Sequence, residues 1–228
     1  MRTAGVDLSA EARGTAIAYI DWAGPRPVLD MVQVGADDST VLSALGNPER
    51  AAVDCPLGWP EPFIDFLVAH RAGRAAAPVG QTGLEWRRSL SRRATDLHVA
   101  ETLPGLVPLA VGADRIAAVA MRAAVLLAAL ADAGQPVDRS GGGRLVEVYP
   151  AAALRVWGLA SRSYKGGGNR PALSLLVDEL QAALPSLAWQ GHERTCRESD
   201  DAFDAVVCAI GNYSAGFGAV PLEGEGRR

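Results

Sequence analysis

Two apolar runs in this chain each stop on an aspartate: Thr3-Ala4-Gly5-Val6-Asp7 and Ala51-Ala52-Val53-Asp54. Far downstream, a predicted helix opens Asp200-Asp201-Ala202-Phe203-Asp204, with Asp201 and Asp204 three apart and therefore on one face. A fifth acid, Glu147, lies between valines in Arg144-Leu145-Val146-Glu147-Val148-Tyr149-Pro150. Aspartate is depleted in strands and is rarely buried without a partner or a metal. Carboxylates converging from elements this apolar would repel one another unless a cation neutralised them. The predicted chemistry is binding of a hard divalent ion, Mg²⁺ or Mn²⁺, which takes carboxylate oxygens and keeps several waters. His70, His98 and His192 show no paired-ligand spacing, which disfavours zinc. Two such ions about 3.5–4 Å apart could activate water and stabilise the leaving oxygen of a phosphodiester.

Each acid also has a plainer explanation. Asp7 can start an Asx turn, and Asp54 can cap the rigid loop Cys55-Pro56-Leu57-Gly58-Trp59-Pro60. Asp201 and Asp204 suit the positive end of a helix dipole, with Ser199 as N-cap. Glu147 either faces solvent from an edge strand or points into a site. The dipole effect, worth about 1 kcal/mol at most on a surface, explains neither Asp7 nor Asp54. The combination is what carries information.

Basic residues supply candidate substrate contacts. Arg87, Arg88, Arg92 and Arg93 cluster beside Trp86, and Lys165 and Arg170 flank Gly166-Gly167-Gly168. They read either as a solvated helix face and a flexible loop or as phosphate contacts by arginine forks, lysine and backbone N–H groups. Arg93-x-x-Asp96 also offers a local ion pair. Trp22, Trp59 and Trp157 read as core or pocket wall, although Trp59 could stack a base. Cys55 has no histidine nearby in sequence to activate it and reads as structural.

The elements that must position these groups begin with three strands, Ala4–Leu8, Gly14–Asp21 and Val28–Val34, whose short connections predict an antiparallel meander. Asp38-Ser39-Thr40 starts a short helix to about Leu45, and Ala51–Asp54 is a wholly apolar strand suited to a central place. From Pro56 to about Pro108 the pattern is irregular, with one helix from Phe63 to about His70. Ala113–Ala133 is the clearest helix, ended by Gly134. A strand over Arg144–Tyr149 and helices over Ala151–Trp157, Pro171–Ala183 and Asp200–Tyr213 complete the chain. The order predicts an α/β domain with a mixed sheet, antiparallel then parallel, and helices on both faces. A single domain is expected over 1–221 with a helical insertion at about 56–112 and a frayed tail over 222–228.

Composition narrows the setting. The chain has 228 residues, 49% hydrophobic and 21% charged, enough for one full core. No apolar run is long enough to span a membrane, and the N-terminus lacks a signal-peptide h-region. Three cysteines without CxxC spacing argue against disulfides and for a reducing cytoplasm. A net charge of −4 excludes a protein that coats nucleic acid non-specifically; any such contact must use a local patch.

The segments GVDLS, AAVDCPLGWP, RRATD, EVYPAAALR, SYKGGGNR and DDAFDAVVCAI, in that order, resemble the domain of unknown function 429 family of predicted RNase H-like nucleases. More distantly, Asp7 in a first strand with Asp-x-x-Asp opening a last helix is similar to Holliday-junction resolvases. The resemblance spans Gly5 to about Ala215. It implies an RNase H-like fold, with Asp7, Asp54, Asp201 and Asp204 as an acidic catalytic and metal site and Glu147 as a further metal ligand. It also places Arg93, Asp96, Lys165 and Arg170 within motifs suited to substrate contact. The implied activity is metal-dependent hydrolysis of phosphodiester bonds in nucleic acid. Two rival classes remain: an actin-like or sugar-kinase-type phosphate-ester enzyme, and a non-catalytic, metal-stabilised binding module. Such folds can form homodimers, but nothing in the sequence shows one.

Overall fold

The computed structural model describes residues 1–77, 79–80 and 83–217, the last four of these by backbone alone. The chain divides into two compact units, Met1–Cys55 with Val125–Arg228, and Pro56–Ala124. The expected frayed tail lies outside the described residues.

The first unit is built on five strands: β1 (Arg2–Asp7), β2 (Ala16–Asp21), β3 (Val28–Val34), β4 (Arg50–Asp54) and β5 (Leu145–Glu147). They form one mixed sheet in the order β3-β2-β1-β4-β5. β1–β2 and β2–β3 are antiparallel, whereas β4 runs parallel to β1 and β5 parallel to β4. The middle of the central pair is apolar because it is covered twice: Gly5 and Ala52 face one side, Val6 and Val53 the other, and both valines are buried. Two strands are shorter than expected. A 3₁₀ turn at Ala12–Gly14, closed by Thr15 N–H donating to the Ala12 carbonyl at 2.9 Å, delays β2 to Ala16. Pro150, with its φ fixed for a helix start, opens the next helix and ends the extended backbone early.

Nine α-helices occur among the described residues. α1 (Asp38–Gly46) is capped by Asp37, whose carboxylate accepts from Thr40 N at 2.9 Å. The second unit holds α2 (Glu61–Arg71), α3 (Leu84–Ser91) and α4 (Ala94–Thr102), where only one helix was expected. The division between the units falls within α5 (Ala117–Asp132), which starts later than expected because Asp114 turns the chain by accepting from Ala110 N at 2.7 Å. α6 (Pro150–Val156), α7 (Arg170–Ala183), α8 (Glu193–Glu198) and α9 (Asp200–Phe217) follow.

α9 is the centre of the first unit. It packs on β1, β2, β3 and β4, and every residue from Ala202 to Ile210 is buried. A helix apolar all round belongs inside a protein. Its outer side carries Leu154 of α6 and Leu173, Leu176, Val177 and Leu180 of α7, in one continuous core. No helix among the described residues is long and apolar enough to cross a membrane. Cys55, Cys196 and Cys208 are buried and form no disulfide.

Candidate metal centre

The two aspartate-terminated runs meet in register: Asp7, last in β1, is the parallel partner of Asp54, last in β4. Residues two apart share a sheet face, so Asp7 follows Gly5 toward α9. Gly5 is essential to that approach. A Cβ there would lie 2.0 Å from the Ala205 carbonyl oxygen and 2.3 Å from Ala209 N, so only a glycine lets the helix backbone press onto β1. This contact sets the first turns of α9 against the strand ends. Ser199 Oγ accepts from Ala202 N at 3.2 Å, the expected N-cap, and fixes where the helix starts.

Asp204, one turn into α9, is fully buried. Its Oδ1 accepts a hydrogen bond from the Tyr164 hydroxyl at 2.9 Å, and Lys165 Nζ lies 2.5 Å from its Oδ2. The lysine contact is a close charge pair, so both oxygens of this buried carboxylate meet a neighbouring side chain. The lysine side chain is 54% exposed although its ammonium reaches a buried oxygen. Gly166 N donates to Asp200 Oδ2 at 3.0 Å, and Asn169 Nδ2 donates to the Lys165 carbonyl at 2.7 Å. The glycine-rich segment therefore lies against the opening of α9 rather than hanging free. Tyr164 is buried edge-on against Phe203, their ring centroids 5.9 Å apart.

The electrostatics are those of crowded carboxylates. Burial, then the charges of Asp54 and Asp204, raise the Asp7 carboxyl well above the usual range. Burial pushes Asp54 up to about 7; Lys165 opposes the shift, and Asp204 and Glu147 add to it. Asp204 is raised by burial, against the pull of Lys165 and the Tyr164 hydrogen bond. Asp201 is raised by burial and by Asp200. Burial alone would lower Lys165, yet Asp204, Asp54 and Asp7 outweigh it and hold the ammonium protonated. Asp7 and Asp54 are enclosed by protein but only partly buried, so each keeps an accessible edge.

Asp7, Asp54, Asp201, Asp204 and Lys165 thus influence one another in a single cluster. Glu147 sits differently. It pairs in register with Val53, whereas its neighbours Val146 and Val148 pack with Cys208 of α9, so the pleat sends it to the opposite face at the sheet edge. It reaches Asp54 only as a minor charge effect. Arg170 is the exposed first residue of α7. Arg93 and Asp96 belong to the second unit and pair with each other. Arg93 Nη2 lies 2.7 Å from Asp96 Oδ1, and Arg93 N donates to Oδ2 at 2.9 Å, closing a capping box on α4. Tyr164 is a site residue that sequence reasoning passes over, although it stands directly before Lys165 in the SYKGGGNR segment.

Among the described residues, no three His, Cys, Asp or Glu side chains stand together in a metal-binding arrangement. The donors nevertheless suit a hard cation: all are carboxylates, their pKa values are raised, and Asp204 is fully buried. Asp7, Asp54 and Asp204 are the residues that would hold Mg²⁺ or Mn²⁺, with Asp201 beside them. No curated protein and no solved structure matches the chain. A family model does, and it covers both strand-end aspartates, the lysine segment and all described residues of α9. The match, described as "Protein of unknown function (DUF429)", runs over residues 5–223, and the chain belongs to that family.

Proposed function

We propose that this protein is a divalent-metal-dependent hydrolase of phosphodiester bonds in nucleic acid, acting through Asp7, Asp54, Asp201 and Asp204. One observation carries the reading. Two strand-end aspartates stand in register and share a raised, mutually repelling electrostatic environment with a buried aspartate of α9. Such crowding costs stability unless something positive binds there. Perturbed carboxylates with accessible edges are the usual sign of a functional site. An RNase H-like architecture is the fold reading that the sheet order and the acid-bearing last helix support. Bound Mg²⁺ or Mn²⁺ would supply an activated water and charge stabilisation at the leaving oxygen.

The chain's own part is to hold the oxygens in place. β1 and β4 fix Asp7 and Asp54 through backbone pairing, and Tyr164 orients Asp204 by its hydrogen bond. Glu147, on the opposite sheet face, has a supporting charge effect at most. Lys165 stands at the cluster, where its ammonium could meet the negative charge of a substrate phosphate. A cleavage screen against single-stranded, duplex and branched DNA and RNA tests the reading. Wild-type protein should cut at least one substrate when Mg²⁺ or Mn²⁺ is supplied, and purified Asp7→Asn and Asp204→Asn should not. Equal cleavage by the variants would sink it.

A further inference from the structure

Lys165 is the one lysine in a chain whose Lys and Arg total 22; the rest of that total is arginine. That lone ammonium is set against Asp204, within electrostatic reach of Asp54 and Asp7. The choice of cation matters physically. A guanidinium offers a rigid planar fork and binds carboxylates in pairs of aligned bonds, whereas an ammonium is a compact point charge on a flexible stem. The ammonium meets Asp204 Oδ2 at 2.5 Å, yet the lysine side chain is 54% exposed. With more than half of the side chain exposed, the stem has an open path into solvent.

We propose that Lys165 is a resident counter-cation, which holds the carboxylates together in the metal-free protein and is displaced from Asp204 when a divalent ion binds. The inference rests on the metal-site reading above and adds how that site is kept folded and how it is loaded. Two contacts tie the lysine's position to the helix, Tyr164 on Asp204 Oδ1 and Gly166 N on Asp200, and Asn169 braces the segment by donating to the Lys165 carbonyl. The backbone anchors can persist while the ammonium leaves. Metal and lysine then compete for one oxygen, and by linkage each weakens the other's hold.

The single lysine makes the test site-specific. Reductive methylation of the metal-free protein, read by mass spectrometry, should modify Lys165 slowly, and Mn²⁺ should speed it severalfold while leaving the α-amino group unchanged. In calorimetry, Lys165→Met should bind Mn²⁺ roughly tenfold more tightly than wild type and should melt at a lower temperature in EDTA. The methylation experiment uses wild-type protein, so it decides the matter even if the variant does not fold without metal. A methylation rate that Mn²⁺ leaves unchanged or slows overturns the proposal, as does a folded Lys165→Met that binds Mn²⁺ no more tightly, with the metal site itself intact. Failure of both proteins to bind Mn²⁺ overturns the metal reading together with it.

Discussion

Asp7 and Asp54 are separated by most of the meander and a helix in sequence, yet they end neighbouring parallel strands as register partners. Backbone pairing places two carboxylates side by side at the open end of the sheet, and α9 adds a third from above. Repulsion in such a group is a standing cost of the metal-free fold.

That cost has a pH signature. Asp54 titrates near 3.8 when unfolded and is raised to about 7 in the fold, so its contribution is fully present below the unfolded value and is lost as pH rises through about 7. In EDTA, the melting temperature should therefore fall between about pH 4 and pH 7 and then level. At ~1.4 kcal/mol per unit, the Asp54 part is on the order of 4 kcal/mol. Lys165, raised above the ordinary lysine range, stays charged in both states throughout this window and adds no slope. Asp54→Asn should flatten the profile and be the more stable protein at pH 8 in EDTA, with the order reversed in saturating Mg²⁺. Parallel profiles for the two proteins would count against a strained carboxylate cluster.

Gly5→Ala tests the close approach of α9. A methyl group 2.0 Å from a backbone oxygen cannot be absorbed by a rotamer change, so the helix must shift off β1. Overpacking typically costs about 1–3 kcal/mol, and a backbone clash belongs at or beyond the upper end. Urea titration should show that loss, and calorimetry should show Mn²⁺ affinity falling with it, because Asp204 moves with the helix. Wild-type affinity in a destabilised variant would uncouple the helix contact from the site.

Asp96→Ala separates a cap from a substrate contact. Asp96 is nearly fully buried against Arg93, and removing one partner of such a pair costs about 3–5 kcal/mol. Stability in urea should drop by that order while Mn²⁺ affinity stays at the wild-type value. Should the variant keep its stability and lose nucleic-acid binding instead, the pair contacts substrate rather than capping α4.

The acids were legible in the sequence because aspartate violates the apolar pattern of the strands it ends, and the opening of α9 carries a readable N-cap. Their meeting was not, since register depends on pairing across the sheet and on a glycine whose role appears only once a helix lies on it. The glycine-rich segment read either as a flexible loop or as a phosphate contact, because nothing in Tyr164-Lys165-Gly166 announces that the tyrosine is buried or that the lysine finds Asp204. α3 escaped notice for a different reason. Its eight residues hold only three apolar ones, Leu84, Trp86 and Leu90, among charged and polar neighbours, so the window is too short and too polar to follow. In α4 the one buried residue is Asp96, and α8 has only six residues. Glu147 left two options open from sequence, and its register with Val53 on the edge strand puts it across the sheet from the other acids.

The most direct measurement is anomalous diffraction from crystals soaked in Mn²⁺. The account predicts anomalous density touching the carboxylates of Asp7, Asp54 and Asp204, with the Lys165 ammonium withdrawn from Asp204. Manganese bound elsewhere, with these three carboxylates still closed around Lys165, would contradict it.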